Sequence, residues 1–139
     1  MSESIVLELT NDRAELVRLA EGVRSFGSAH GLSSDMLFAV DLALDELVTN
    51  VIRHGFPDGG AHVIRLRLDL ADDELRMALE DDGIAFNPLV DAKAPDLTSS
   101  IDDRPVGGLG VHLARSLMDE ITYERRGTRN VLRLRKRLI

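Results

Sequence analysis

Apolar positions recur along this chain with two periods, and they divide it into strands and helices. Residues 5–10 alternate Ile5, Leu7 and Leu9 with Val6, Glu8 and Thr10, the period-two pattern of a half-buried strand. Asn11 stands where an N-cap opens a helix, and Leu16, Leu19, Ala20, Val23 and Phe26 follow at helical spacing until Gly27 and Gly31 end it. Ser33 or Ser34 caps a second helix with the stripe Leu37, Val40, Leu44, Leu47, Val48 and Val51. The run from His54 to Gly60 closes that helix and turns the chain. Ile64, Leu66, Leu68 and Leu70 form one alternating series, and Leu75, Met77 and Leu79 a second. The short connection at 71–74 predicts an antiparallel hairpin between them.

Residues 83–106 break the pattern: they hold Pro88, Pro95 and Pro105 and show no period. A stretch of that length inside a compact domain reads as a functional lid, placed at about 89–106. Gly107-Gly108-Leu109-Gly110 then opens a third helix that turns Val111, Ala114, Leu117 and Met118 inward. Ile121–Arg126 and Val131–Arg137 read as a closing hairpin around Gly127-Thr128. This order predicts an α+β two-layer sandwich, a mixed but mostly antiparallel sheet covered on one face by about three helices. With no repeat and no linker, residues 1–139 read as one domain.

Composition narrows the function classes. A chain of 139 residues suits a single core, and the absence of cysteine removes disulfide frameworks, thiolate zinc sites and thiol nucleophiles. A net charge of −7 with 4% aromatics argues against a nucleic-acid binder. No apolar run approaches the roughly 20 residues of a membrane helix, and no signal peptide precedes the first strand, so a cytoplasmic protein is expected. The charge is uneven. Residues 125–139 hold seven basic groups and no acid, leaving 10 basic against 24 acidic groups, or −14, in the rest. That basic end reads as a solvated strand face or a surface for an acidic partner.

Three places could carry chemistry. On the second helix Glu46 and Asn50 lie four apart on one face, His54 continues their line, and Thr49 and Arg53 flank it. A carboxylate and a carboxamide there could ligate magnesium or accept a proton, and a solvated helix edge would look the same. Asp81, in Asp81-Asp82-Gly83-Ile84-Ala85-Phe86-Asn87-Pro88, stays in phase with Leu75, Met77 and Leu79 and so points inward. A buried carboxylate needs a hydrogen-bonding partner, which an adenine amino group would supply; an acidic turn is the plainer account. The glycines at 107–110 would leave helix-start amides free for an anion, although they match neither the dinucleotide fingerprint nor a P-loop. His30, His54, His62 and His112 lack zinc-ligand spacing, and Ser25 and Ser28 lack a nucleophile context.

In this order, the segments Asp45–Asn50 with His54-Gly55, Asp81–Pro88, Gly107–Asp119 and Gly127-Thr128 resemble the GHKL (Bergerat-fold) ATP-binding superfamily. More narrowly they resemble its bacterial anti-sigma factor serine-protein kinase branch, over nearly the whole chain. The resemblance implies that Asn50 holds magnesium on the triphosphate of ATP and that Glu46 is the catalytic base. It implies that Asp81 accepts from the adenine amino group with Thr128 nearby, and that Gly83 lies against the base. Arg53, His54, Ala85 and Phe86, together with Gly107, Gly108, Leu109, Gly110 and Val111, would complete the nucleotide site. The family pattern has a glycine at Ala85 and an acid at Asn87, and this chain departs from both.

The function implied is phosphorylation of a small anti-anti-sigma (STAS-type) partner and sequestration of a sigma factor by a homodimer that touches neither nucleic acid nor membrane. A non-catalytic partner-switching module, nucleotide-binding or nucleotide-free, is the alternative. A chain of this length has no room for the dimerisation helices of a sensor histidine kinase or the transducer domain of a gyrase-like ATPase.

Overall fold

The computed structural model describes residues 3–91 and 108–138. The first strand, β1, spans Glu3–Thr10. Asp12, not Asn11, is the capping residue: its carboxylate accepts from the Ala14 N–H at 2.9 Å, in a single 3₁₀ turn (Arg13–Glu15) ahead of helix α1 (Leu16–Ala29). Asn11 instead pins a distant loop, accepting from the His62 N–H and donating to the Gly60 carbonyl, both at 2.9 Å.

Gly27 does not end α1. It is buried inside the helix, where a Cβ would lie 2.1 Å from Leu37 Cδ2, so its lack of a side chain lets α1 close on the next helix. Gly31, at φ +71°, makes the break. The next helix, α2 (Ser34–His54), is capped by Ser33, whose hydroxyl accepts from the Met36 N–H. Its buried positions Val40, Ala43, Leu44, Leu47, Val48 and Val51 form the stripe that lies on the sheet.

Strands β2 (Val63–Ala71) and β3 (Glu74–Asp81) pair as the expected hairpin. Asp72 and Asp73 both take positive φ in its two-residue turn, the twist that such a connection needs and that Asp tolerates. After a short helix α3 (Pro88–Asp91), α4 (Gly108–Leu117) buries Val111 and Ala114, with Met118 buried just past its end. Strands β4 (Glu120–Arg126) and β5 (Arg129–Arg137) close the chain. The five strands run in the order β1-β2-β3-β5-β4, with every adjacent pair antiparallel, so the mixed element of the expectation is absent among the described residues. The α+β sandwich itself is as expected. Most of the lid at 89–106, and Gly107, lie outside the described residues.

The core sits between the inward sheet positions (Leu9, Ile64, Leu66, Leu68, Leu75, Met77, Leu79, Leu132, Leu134) and the stripes of α1, α2 and α4. Insertion of β5 between β3 and β4 brings Asn130 directly opposite Asp81. Leu44 is fully buried at the centre of this layer. Leu44→Ala should lower unfolding stability by about 2–5 kcal/mol with an unchanged denaturant slope; a loss below about 1 kcal/mol in urea unfolding would contradict this account of the core.

Candidate functional site

Helix α2 carries Glu46, Asn50 and His54 along one line, as their spacing requires. Glu46 and Thr49 are half-buried, Asn50 is buried, and Arg53 and His54 are exposed. The Asn50 amide nitrogen Nδ2 is buried without a hydrogen-bond partner. Such a group costs about 1–3 kcal/mol, so it calls for an explanation.

The end of β3 meets the end of α2. Gly55, the C-cap of α2, accepts from the Ile84 N–H at 2.9 Å through its carbonyl. Gly83 lies so close that a Cβ there would sit 2.4 Å from that same carbonyl oxygen. The two motifs are therefore joined backbone to backbone, and glycine at 83 is a packing requirement. Phe86 stacks on His54 with ring centroids 5.1 Å apart and 21° between planes. Asn87 caps α3, its side chain accepting from the Leu89 N–H at 3.0 Å, with Pro88 at the first helical position. Ala85 is exposed beside them.

Asp81 is 3% exposed, and its oxygen Oδ1 accepts from the Gly83 N–H (2.9 Å) and from Asn130 Nδ2 (3.0 Å). Burial raises its pKa above the ordinary carboxylate value, while those two donors pull in the opposite direction. Asn130 is itself buried and fully engaged. Its Nδ2 also donates to the Ile84 carbonyl (2.8 Å), and its Oδ1 accepts from the Phe86 N–H (3.3 Å) and the Tyr123 hydroxyl. Arg125 donates to the Gly83 carbonyl at 2.8 Å.

Asn50, Val51, Gly55, Asp81, Phe86, Pro88, Tyr123, Asn130 and Leu132 enclose a cavity of about 10 Å³, room for about one water. Sequence reasoning missed Asn130, Tyr123 and Arg125. Asn130 had a signal, because it continues the inward alternation of Leu132 and Leu134 just as Asp81 continues that of Leu79. Thr128, expected near Asp81, is exposed in the β4–β5 turn, and it is Asn130 that reaches the carboxylate. Val111 is buried in the first turns of α4, and Arg115 ties that helix to α3 through the Leu89 carbonyl at 3.2 Å.

The basic end is mostly exposed, and three of its arginines are paired across strands. Arg133 pairs with Glu124 (3.0 Å), Arg135 with Glu74 (3.0 Å) and Arg129 with Glu80 (4.0 Å). Arg125 and Lys136 instead donate to the Gly83 and Leu117 carbonyls. The face of the sheet away from the described helices holds an open depression of about 490 Å³ rimmed by Arg76, Arg133 and Arg135, with Arg76 also paired to Glu74. It lies on the other side of the sheet from the buried Asn50 and Asp81.

Beside the site, His62 stands between two carboxylates, with Nδ1 3.0 Å from Asp82 and Nε2 2.9 Å from Asp58, its ring stacked on Phe56. Only an imidazolium donates to both. The Asp58 hydrogen bond, reinforced by Asp82, raises the His62 pKa. The stability that this pairing contributes is therefore fully present below the ordinary imidazole pKa of about 6.5, and it is lost as pH rises through the raised folded value. His62→Gln should destabilise more at about pH 6 than at about pH 9 in urea unfolding, and an equal loss at both would contradict the pairing. Gly83→Ala should cost about 1–3 kcal/mol in the same assay, against no change if the Gly55 contact is dispensable.

The sequence profile of the histidine kinase-like ATPase domain matches residues 9–136. A serine/threonine-protein kinase, BtrW of Bordetella bronchiseptica, is 34% identical over 102 residues, covering 73% of this chain and 71% of that protein. An anti-sigma F factor of Clostridium novyi is 30% identical over 97 residues, covering 68% and 67%. Among solved structures, the RsbU and RsbW domains of Rv1364c from Mycobacterium tuberculosis superpose with a TM-score of 0.70 at 17% identity, over 98% of this chain and 32% of that longer one. That likeness shows the fold; the profile match, which spans the α2, β3 and β5 positions described above, and the sequence relatives show the family. The chain belongs to the histidine kinase-like ATPase (GHKL) domain family.

Proposed function

We propose that this protein is an ATP-dependent serine/threonine kinase and anti-sigma regulatory factor, which phosphorylates a small STAS-type anti-anti-sigma protein and sequesters a sigma factor. The observation that carries the reading is the convergence of Asn50, Asp81 and Asn130 on one cavity, with the Asn50 amide unpartnered. The family membership and the relatives named as kinase and anti-sigma factor support it. Residues 1–139 act as one unit with a lid at about 89–106, and the protein works as a cytoplasmic homodimer.

The residues take these roles. Asp81 accepts from the adenine amino group through Oδ2, since both protein donors use Oδ1. Gly83 lets the base approach the chain, with Ala85, Phe86 and His54 walling the entrance. The amides of Gly108, Leu109, Gly110 and Val111, in the first turn of α4, face phosphate with the help of the helix dipole, and Gly107 joins them from outside the described residues. Arg53 flanks the phosphate side.

Asn50 fits magnesium. A half-turn of its carboxamide exchanges the orphaned nitrogen for an oxygen, the donor type that a hard cation takes. Magnesium, when bound, neutralises charge on the triphosphate. Glu46, one turn earlier, takes the proton from the partner's serine or threonine hydroxyl as that oxygen bonds to the γ-phosphorus and the bond to the β-phosphate oxygen breaks.

The size of the cavity favours a second reading. About 10 Å³ admits no purine unless Phe86 or Pro88 withdraws, which suits a nucleotide-free switch that only sequesters. Calorimetry separates the two. On the kinase reading the chain binds magnesium–ADP, and Asp81→Asn weakens binding by about 10- to 100-fold, the worth of a hydrogen bond to a charged acceptor. Glu46→Gln then lowers phosphate transfer to the cognate antagonist by at least about 100-fold while ADP affinity holds. No binding at millimolar ADP, or transfer by Glu46→Gln at the wild-type rate, would sink the kinase reading.

A further inference from the structure

The polar groups of the base cavity are not exhausted by the motif residues. Asn130 lies outside every glycine box, opposite Asp81 in the β3–β5 register. Its carboxamide makes four hydrogen bonds to three separate segments. One reaches Asp81 Oδ1, two reach the loop at the Ile84 carbonyl and the Phe86 N–H, and one comes from Tyr123 on β4. The two loop bonds go to the carbonyl of one residue and the N–H of the residue two further on, the pattern a neighbouring strand would offer. A side chain thus stands in for a strand edge and fixes the segment that carries Phe86.

The bond to Asp81 has a chemical consequence. An ionised carboxylate only accepts, whereas a protonated one also donates. Adenine presents an amino donor at its six-position, and hypoxanthine presents a carbonyl acceptor there. A donor held against Asp81 Oδ1 favours the ionised form and leaves Oδ2 as the acceptor that discriminates. Removing one partner of such a buried polar set leaves the other unsatisfied, and that is where large selectivity changes arise.

We propose that Asn130 is the positioning residue of the base subsite: it holds Asp81 as a single-oxygen acceptor and pins the Ile84–Phe86 loop, and so sets the preference for a 6-aminopurine. The inference rests on the nucleotide-binding reading above and deepens it. Thr128, which the family resemblance places near Asp81, is exposed in the β4–β5 turn.

The test uses the full chain with Asn130→Leu, of similar size without hydrogen-bonding groups, and Asn130→Asp, of the same shape with the donor replaced by a second carboxyl. Two quantities are read: the Asp81 carboxyl titration by NMR without nucleotide, and ADP and IDP affinities across acidic to neutral pH. In Asn130→Leu the Asp81 midpoint should rise by about one pH unit, and ADP preference over IDP should shrink about tenfold. Its residual ADP affinity should fall as pH drops through the raised midpoint. Asn130→Asp should show the reverse slope. It binds ADP poorly near neutrality and recovers towards acid, when one proton shared by the two carboxyls restores a donor to Asp81.

A purely structural role would move neither slope. A folded Asn130→Leu with an unmoved Asp81 titration, or an unchanged ADP-to-IDP ratio, overturns the proposal. Should that variant fail to fold, a wild-type slope in Asn130→Asp overturns it instead. Wild-type protein that binds neither nucleotide removes the nucleotide reading and the selectivity with it. The Asp81 titration then still decides whether Asn130 positions that carboxylate.

Discussion

A carboxylate buried at the end of a central strand constrains everything around it. Asp81 must find donors inside the protein or lose several kcal/mol, and no single neighbouring segment supplies them all. One comes from Gly83, two residues on, and one from Asn130, 49 residues away in sequence. The first requires the chain to turn back tightly, so that Gly83 presses on Gly55 with no room for a side chain. The second requires β5 to enter between β3 and β4 in one register, with Asn130 across from Asp81. A slip by one residue would turn Asn130 to the outer face and set Arg129 or Val131 opposite Asp81 in its place. Strand order, register and two glycines therefore answer to one polar group.

The same arrangement explains why the site lies where it does. The C-terminal end of α2 and the end of β3 are tied through Gly55 and Ile84, and this brings Asn50 and Asp81 to one cavity although 31 positions separate them. The departures from the family pattern are absorbed locally. Asn87 stands where the pattern has an acid, yet it caps α3 through its side-chain oxygen, a role for which Asn and Asp are about equally suited. Ala85 is exposed, so its extra methyl displaces nothing in the described core. On the outer sheet face, by contrast, Arg129, Arg133 and Arg135 meet Glu80, Glu124 and Glu74 across the strands.

Most of the fold was legible because its signals are local and periodic. The alternation in β2 and β3, the stripe of α2 and the glycine-marked ends fall within a residue or two of the observed elements. Local rules failed where a distant segment competed for the same group. Asn11 looked like a cap, but the loop at 60–62 claimed its side chain, and Asp12 took over. Gly27 looked like a helix end, yet packing against Leu37 made it an interior residue. In the site, the inward phase of Asp81 was readable and its partner was not, because pairing β5 with β3 is a matter of topology. The basic end was readable as a solvated strand face, but not the pairing of Arg129, Arg133 and Arg135. The acids those three meet sit on other strands, which the local sequence around each arginine does not show.

The central claim is that the buried polar set of Asn50, Asp81 and Asn130 lines a nucleotide site, with Asp81 and Asn130 at the base and Asn50 towards the phosphates. Amide and side-chain NMR shifts of the nitrogen-15-labelled chain, followed as magnesium–ADP is added, test it most directly. The account predicts saturable shifts concentrated at the Asn50 and Asn130 carboxamides and at the Gly83, Ile84 and Phe86 amides, with the outer-face arginines Arg76, Arg133 and Arg135 unaffected. Saturable shifts on that outer face, with Asn50, Gly83 and Asn130 unmoved, would contradict it.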